Sequence, residues 1–175
     1  PNLNHSIANA TILDEVATAL PAAEIRRLDW LYPDGKINLE EEQKSLLKAD
    51  VIVWQFPFSW YGLPGLMKQW LDEVFVHGFA HGSTAKLGGK KLLLSFTTGA
   101  PQTAYTPDGF FGHTVEDYLI PFATTARLCQ LKMLPPLYTC GISYADRDDD
   151  KIAQQKTLAR EHASRLIALL NAIHE

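Results

Sequence analysis

Apolar residues follow two alternating patterns along this chain. In some stretches they form short runs, and between these they recur every three or four positions, the spacing of one face of a helix. The runs predict strands at Glu24–Trp30, Val51–Gln55, Lys91–Phe96 and Leu137–Ile142. The helical spacing predicts five helices: one that Ser6 or Asn4 caps and Pro21 ends, Asn38 to about Ala49, Pro64 to about Val76, Glu116–Leu128 with Pro121 in its first turn, and Asp149–Ile173.

Strands that alternate with helices indicate a parallel sheet with helices on both faces. Four strands leave the first helix without a strand from which to cross over. A fifth strand, in roughly ten residues upstream of Pro1, would restore the alternation and give the order 2-1-3-4-5. We therefore expect a single α/β domain over residues 1–175, with a five-stranded parallel sheet whose first strand is missing from the given sequence.

Composition and charge narrow the function classes. The 175 residues are 46% hydrophobic and 21% charged with a net charge of -4, so no basic field attracts nucleic acid. No apolar run reaches the length of about 18 residues that a membrane span needs. Cys129 and Cys140 lie in neither a CxxC nor a metal-binding spacing, which fits a reducing compartment. We expect a cytoplasmic protein without a metal site and without a nucleic-acid partner.

A parallel sheet of this kind binds ligands at the carboxyl ends of its strands. Three loops occupy that edge: Pro1–Ser6, Phe56–Leu63 and Thr97–Tyr105. The first opens a helix, whose N-terminus attracts phosphate, and Ser6 and Asn9 add polar groups on the same side. The alternative is a plain helix cap.

The second and third loops carry aromatic and donor groups. Phe56, Phe58, Trp60 and Tyr61 fall within six residues, a pattern typical of a platform for a planar ligand or of an interface. The alternative is core packing, which we expect for at least one of them and for Trp54 and Trp70. In the third loop Gly99 permits a close backbone approach beside two threonine hydroxyls, although ordinary turns have similar sequences. Together the loops predict a site for a phosphorylated flat heterocycle such as flavin mononucleotide (FMN).

Four segments carry a family resemblance: PNLNHSIAN, ADVIVWQFPFSWYGLPGLMKQWLDEVF, KLGGKKLLLSFTTGA from Lys86, and MLPPLYTCGI. They resemble the flavodoxin-like NAD(P)H:quinone oxidoreductases. The similarity is greatest to the bacterial branch, which includes ancillary oxidoreductases of glutathione-gated potassium efflux systems and general-stress-type quinone reductases. The resemblance covers nearly the whole chain and implies a flavodoxin-like fold.

The resemblance also implies roles for individual residues. Tyr105 matches a tyrosine that works with a histidine six residues further on, but Phe111 stands at that position and the nearest histidine is His113. Tyr105 is therefore a catalytic candidate that donates a hydrogen bond alone. Ala100 departs from the usual TTGG, so a positive φ there would be strained. The implied cofactor contacts are Ser6 and Asn9 for the phosphate, Phe58, Ser59, Trp60 and Tyr61 around the ring and ribityl chain, and Thr97, Thr98, Gly99 and Ala100 as donors to the pyrimidine side.

The implied activity is two-electron hydride transfer from NADH or NADPH through bound FMN to a quinone, by a ping-pong mechanism in a homodimer. FAD is possible, although the chain has no extra C-terminal segment to hold an adenylate. An alternative function is that of a regulatory or ancillary subunit of a glutathione-gated potassium efflux transporter, which would place the protein at the periphery of the inner membrane. A third is a one-electron carrier like flavodoxin.

Overall fold

The computed structural model describes residues 6–145 and 147–174. The helices are α1 (Ile7–Ala19), α2 (Leu28–Leu31), α3 (Leu39–Lys48), α4 (Gly65–Val74), α5 (Ile120–Leu128) and α6 (Asp149–His174). The strands are β1 (Val51–Pro57), β2 (Lys91–Thr97), β3 (Lys132–Met133) and β4 (Leu137–Thr139). Short 3-10 helices cover Gln102–Ala104 and Glu116–Leu119. Among the described helices, none combines the length and apolarity that a membrane crossing requires.

Local sequence signals explain the helix boundaries. The Asn38 side chain accepts a hydrogen bond from the Glu41 N–H at 3.2 Å, which caps α3 as predicted. Pro64 stands immediately before α4, and Pro121 lies in the first turn of α5, where a missing N–H costs no hydrogen bond. The predicted helix Glu116–Leu128 begins as a 3-10 helix and becomes α-helical at Ile120.

The sheet is parallel, and β2 is its central described strand. Val51–Pro57 pairs with Lys91–Thr97 along one side of β2. On the other side, β3 pairs with the start of β2 and β4 with its end. Pro135 and Pro136 separate β3 from β4 because proline has no N–H to donate to the ladder. The last three positions of the predicted order are thus observed, while the predicted strand upstream of Pro1 lies outside the described residues.

The predicted strand Glu24–Trp30 is wrong. Residues 24–27 form no secondary structure, and α2 begins at Leu28. No described strand lies beside this segment, so its backbone has no ladder partner. A cavity of about 830 Å³ lies between residues 24–27 and β1. Residues of α1, of β1 and of the segment 24–27 line it. The order 2-1-3-4-5 is therefore seen only in part.

Helices cover both faces of the sheet, as predicted. On one face Leu93 packs with apolar residues of α1 and α6, including Ile12, Ala163 and Leu166. On the other face Leu92 and Leu94 pack with Trp54, Phe122 and residues of α4. Neighbouring residues of β2 thus point into opposite cores, the pattern of a strand buried on both sides. Trp54 and Trp70 are 2% and 6% exposed, which confirms that they belong to the core.

Candidate functional site

The predicted edge loops meet where β1 and β2 end. The Asn9 side chain in α1 donates its Nδ2–H to Thr97 Oγ1 at 3.1 Å. The Phe58 N–H, one residue beyond β1, donates to the Thr97 carbonyl at 2.8 Å. Thr97, the last residue of β2, therefore connects the first helix and the second loop. We call this side of the sheet the carboxyl edge.

The N-terminus of α1 has the features of an anion site. Ser6 is its N-cap residue by backbone conformation, but its hydroxyl makes no capping hydrogen bond. The first turn contains no acidic residue, so the unpaired N–H groups and the partial positive charge of the helix end remain available. A plain cap does not account for Ser6. Pro1–His5, the rest of the predicted first loop, lies outside the described residues.

The second loop holds two bulky residues in the left-handed region. Trp60 has φ 49° and Tyr61 has φ 62°, in a tight turn closed by the Gly62 N–H and the Ser59 carbonyl at 3.0 Å. Left-handed backbone is costly for residues with a Cβ, and such strain is concentrated at functional sites. The turn leaves the Trp60 indole 94% exposed, while the Tyr61 ring stacks on Tyr118 at 4.9 Å.

The other two aromatics of this loop belong to the core, as we expected for at least one. Phe56 is 1% exposed and Phe58 is 9% exposed. The Phe58 ring lies 5.0 Å from that of Phe96 in β2. The side chain of Phe58 is therefore committed to the core, and its backbone is the part that lies at the carboxyl edge.

The third loop offers fewer donors than the sequence predicted. The Thr98 N–H donates to the Thr139 carbonyl at 3.0 Å, and its hydroxyl donates to the Ala100 carbonyl at 2.9 Å. The N–H groups of Gly99 and Ala100 donate to no acceptor in the described part of the chain. The strain expected at Ala100 is absent, because Ala100 is not among the described residues with positive φ.

A fourth loop, Cys140–Ser143, also belongs to the carboxyl edge, and the sequence analysis missed it. The Ile142 N–H donates to the Thr98 carbonyl and the Gly141 N–H to the Ala100 carbonyl, both at 2.8 Å. These bonds fix the shape of the third loop. The segment reads as the end of the predicted strand Leu137–Ile142, but the strand stops at Thr139. The glycine at position 141 was the sequence signal for a turn there, and its φ of 82° confirms a left-handed conformation.

Tyr105 lies beneath this edge and is 5% exposed. Its ring packs against Phe111 at 4.9 Å between centroids. Burial raises the pKa of the Tyr105 phenol, although a hydrogen bond with Thr98 opposes the shift. The phenol is therefore protonated and able to donate at neutral pH. His113 is exposed and faces Asp117 at 3.8 Å, so it does not take the place of the family histidine beside Tyr105.

These residues fit a flavin nucleotide. The free helix end with Ser6 suits a phosphate, the exposed indole suits a flat ring, and the N–H groups of Gly99 and Ala100 suit carbonyl oxygens of a pyrimidine. Asn9 and Thr97 lie between the phosphate end and the ring end. The three kinds of contact thus lie on segments that meet at the carboxyl edge.

Comparison with known proteins agrees with this geometry. A model of the flavodoxin-like fold family matches residues 1–163. The chain is 40% identical over 176 residues to the glutathione-regulated potassium-efflux system ancillary protein KefF of Salmonella dublin, covering 99% of this chain and 95% of the relative.

Three solved structures share the fold. General stress protein 14 of Treponema denticola, in complex with FMN, has 35% identity and a TM-score of 0.85, with 97% and 94% of the two chains covered. A chain described as a thermophilic tryptophan halogenase from Streptomycin violaceusniger has 34% identity and a TM-score of 0.81, with 93% of each covered. An NADPH-quinone reductase from P. pentosaceus has 25% identity and a TM-score of 0.65, covering 87% and 88%. Because these names differ, the fold alone does not fix the reaction. The family match, the relatives and the edge geometry together show that the chain belongs to the flavodoxin-like NAD(P)H:quinone oxidoreductase family.

Proposed function

We propose that this protein is a flavin-dependent NAD(P)H:quinone oxidoreductase that holds FMN at the carboxyl edge and works by a ping-pong mechanism. The observation that carries the proposal is the strained Trp60–Tyr61 turn, which presents an exposed indole on the loop next to Thr97. A fully exposed tryptophan in a left-handed conformation has no use for folding, and a planar ligand would cover it.

Each chain residue has a defined task in this proposal. The N-terminus of α1 and Ser6 bind the phosphate, with Asn9 one turn further along. Trp60 and Tyr61 position the ring system. Phe58 and Ser59 contribute the backbone that lies beside the ring. When bound, FMN supplies the redox chemistry: it takes a hydride from NADH or NADPH and passes two electrons to a quinone, which also takes up protons.

The third loop stabilises charge. The N–H groups of Gly99 and Ala100 would hold the pyrimidine side of a bound FMN and would stabilise negative charge there, each by about 1–3 kcal/mol. Thr97 and Thr98 hold that loop through their own hydrogen bonds. Tyr105, protonated at neutral pH, adds a phenolic donor.

Tyr105→Phe should therefore slow flavin reduction by about tenfold without lowering FMN affinity to the same degree.

The test begins with the purified protein, incubated with FMN or FAD and freed of excess flavin. We expect an FMN spectrum, bleaching of that spectrum by NADH or NADPH without oxygen, and recovery on addition of a soluble quinone. Steady-state rates that give parallel double-reciprocal lines would support ping-pong turnover. A protein that retains neither flavin nor oxidises a nicotinamide would contradict the proposal.

A matched pair of variants tests the site itself. Trp60→Asn removes the indole but keeps a residue that tolerates the left-handed conformation, so FMN affinity should fall by about tenfold or more. Leu128→Asn is the control, because Leu128 is 59% exposed at the end of α5, on the opposite edge of the sheet. Equal FMN affinity in both variants would show that the platform is assigned wrongly.

The relatives favour a second function, as an ancillary subunit of a glutathione-gated potassium efflux transporter. The supporting observation is the 40% identity to proteins that carry this name. The test measures potassium efflux from cells that express such a transporter with and without this protein. If the Trp60→Asn variant still stimulates efflux, the ancillary function does not require flavin turnover. No stimulation by the unmodified protein would contradict the second function.

A further inference from the structure

Polar side chains form a continuous hydrogen-bonded chain through the interior, from α6 along one face of the sheet to α1. Its centre is His162 of α6, which is fully buried, as is Ser95 of β2. Such a buried network is costly unless every member is satisfied, and it rigidifies what it connects. The members, in order, are Arg165, Thr139, His162, Ser95, Gln55, Asn9 and Thr97.

The first half of the chain starts at a cation. Arg165 Nη2 donates to Thr139 Oγ1 at 2.8 Å, and a guanidinium can only donate. The Thr139 hydroxyl lies 2.9 Å from His162 Nδ1, so the hydroxyl can donate a hydrogen bond to that nitrogen. On the other side of the ring, His162 Nε2 lies 2.8 Å from Ser95 Oγ.

The second half leads to the carboxyl edge. Ser95 Oγ donates to Gln55 Oε1 at 2.6 Å, which leaves the serine oxygen to accept from His162 Nε2–H. Gln55 Nε2 then donates to Asn9 Oδ1 at 2.8 Å. Asn9 Nδ2 donates to Thr97 Oγ1 at 3.1 Å. With these orientations every bond runs in one direction, from Arg165 to Thr97.

The direction has a consequence at the end of the chain. Because Thr97 Oγ1 accepts from Asn9, its own hydrogen is left for an acceptor at the carboxyl edge, where the described residues provide no further partner. We propose that His162 is a positioning residue that acts through this chain of hydrogen bonds and holds the Thr97 hydroxyl as a donor to an oxygen of the bound ligand. This inference rests on the proposed flavin site.

The surroundings of His162 keep the ring in the neutral form that the proposal requires. Burial, together with the nearby charge of Arg165, lowers the pKa of His162 to about 4. The groups that face the ring from β2 and β4 are the uncharged hydroxyls of Ser95 and Thr139, and the charged neighbour on α6 is Arg165 itself. A neutral ring with hydrogen on Nε2 accepts at Nδ1 and donates at Nε2, as the chain needs.

A double-variant cycle in FMN affinity separates positioning from a merely structural role. Thr97→Val removes the terminal donor and His162→Leu breaks the chain at nearly constant volume; each should weaken FMN binding by about tenfold. If His162 acts through Thr97, the double variant should bind as Thr97→Val does, within about threefold. An additive loss of about a hundredfold would overturn the proposal.

A conservative variant provides the rescue. His162→Gln keeps one acceptor and one donor, so its FMN affinity should stay within about threefold of the unmodified protein. If His162→Leu fails to fold, Ser95→Ala replaces it in the same cycle, because it interrupts the chain one step later. An unmodified protein that does not bind FMN at all would defeat the proposed function rather than this inference.

The tautomer of His162 can be read without any ligand. The chain has six histidines, so the His162 signal in a nitrogen-15 NMR spectrum of the side chains must be assigned. It is the imidazole signal that is missing from the spectrum of His162→Gln. We expect the Nε2–H tautomer at neutral pH, with the proton protected from exchange. In the Nδ1–H tautomer, or in a doubly protonated ring, Nδ1 could not accept from Thr139, and either finding would overturn the proposal.

Discussion

At the residue scale, the backbone of Trp60 adopts a conformation that is unfavourable for a residue with a side chain. A left-handed residue with a Cβ costs about 1–2 kcal/mol, and the exposed indole regains little of this by packing. Residues held in such conformations depend on the structure around them, here the Ser59–Gly62 turn. This conformation is what we expect of a residue that is retained for binding rather than for stability.

We expect Trp60→Gly to raise the free energy of unfolding by about 0.5 kcal/mol, because relief of the left-handed strain exceeds the added chain entropy of glycine. FMN binding should weaken in the same variant. Urea denaturation of the apoprotein measures the first effect. Phe110→Gly is the control: Phe110 is 89% exposed but has no positive φ, so its replacement should lower stability. A loss of stability in both variants would contradict the strain argument.

His162 predicts a specific dependence of stability on pH. Its pKa is lowered from 6.5 to about 4 in the folded protein, so the native state favours the neutral ring. The contribution is complete above pH 6.5 and is lost as the pH falls toward 4, by about 3 kcal/mol in all. The denaturation midpoint of the unmodified protein should fall more steeply across this range than that of His162→Gln, because glutamine does not titrate.

His113→Gln provides the control, since that histidine is 64% exposed. Its replacement should leave the pH dependence of the unmodified protein in place. If His162→Gln loses stability in parallel with the unmodified protein at every pH, the neutral buried ring is not the source of the effect.

At the element scale, one buried carboxylate connects three segments. Glu42 of α3 is 1% exposed and accepts hydrogen bonds from Arg26 and from the Tyr32 hydroxyl, each at 2.6 Å, and from Trp70 of α4 at 2.8 Å. These bonds fix the segment around Arg26, which pairs with no described strand, against two helices. Charge-assisted bonds to a buried carboxylate are strong because all its neighbours are donors.

Glu42→Gln should lower the free energy of unfolding by about 2–4 kcal/mol, because an amide N–H₂ would face hydrogen-bond donors and Arg26 would lose its charged partner. Glu41→Gln is the matched control: Glu41 is 63% exposed and 3.8 Å from Arg26, so its loss should stay below about 0.5 kcal/mol. Thermal and urea unfolding measure both. Similar effects of the two substitutions would show that the buried network contributes little.

At the scale of the whole molecule, the three most exposed aromatic side chains of the described residues lie on loops at the carboxyl edge. Trp60, Phe110 and Tyr144 are 94%, 89% and 86% exposed. Large apolar side chains left in water on one side of a molecule are typical of an association surface. A twofold homodimer that covers this surface would also shield a bound flavin from water.

We therefore expect sedimentation equilibrium to show a dimer at micromolar concentration. Phe110→Ser should shift the equilibrium toward the monomer by about tenfold or more in the dissociation constant, since an aromatic anchor is lost. Leu128→Ser, on the opposite edge, should leave it unchanged. A monomer at every concentration, with FMN bound, would show that the aromatic edge has another purpose.

Much of this molecule could be predicted from local signals. Asn38 and the acidic residues that follow it indicate the start of α3, and VIVWQ and KLLLSF indicate buried strands, because short-range chemistry and apolar spacing decide these elements. The candidate site residues on the three predicted loops were proposed from the rule that ligands bind at the carboxyl ends of parallel strands, and they remain a prediction. The strand predicted at Glu24–Trp30 failed, since strand formation depends on a neighbour that residue pattern does not reveal.

The sequence by itself determined the α/β class, the helix starts and the buried strands, because these depend on residue spacing, capping groups and proline positions. It also determined which loops carry aromatic and hydroxyl groups. Only the tertiary structure decided which groups of those loops remain available: the Thr98 N–H is taken by Thr139, while those of Gly99 and Ala100 are left. It alone placed His162, far away in the chain, in line with Ser95 and Asn9, since hydrogen bonds across a sheet depend on register and packing rather than on separation along the sequence.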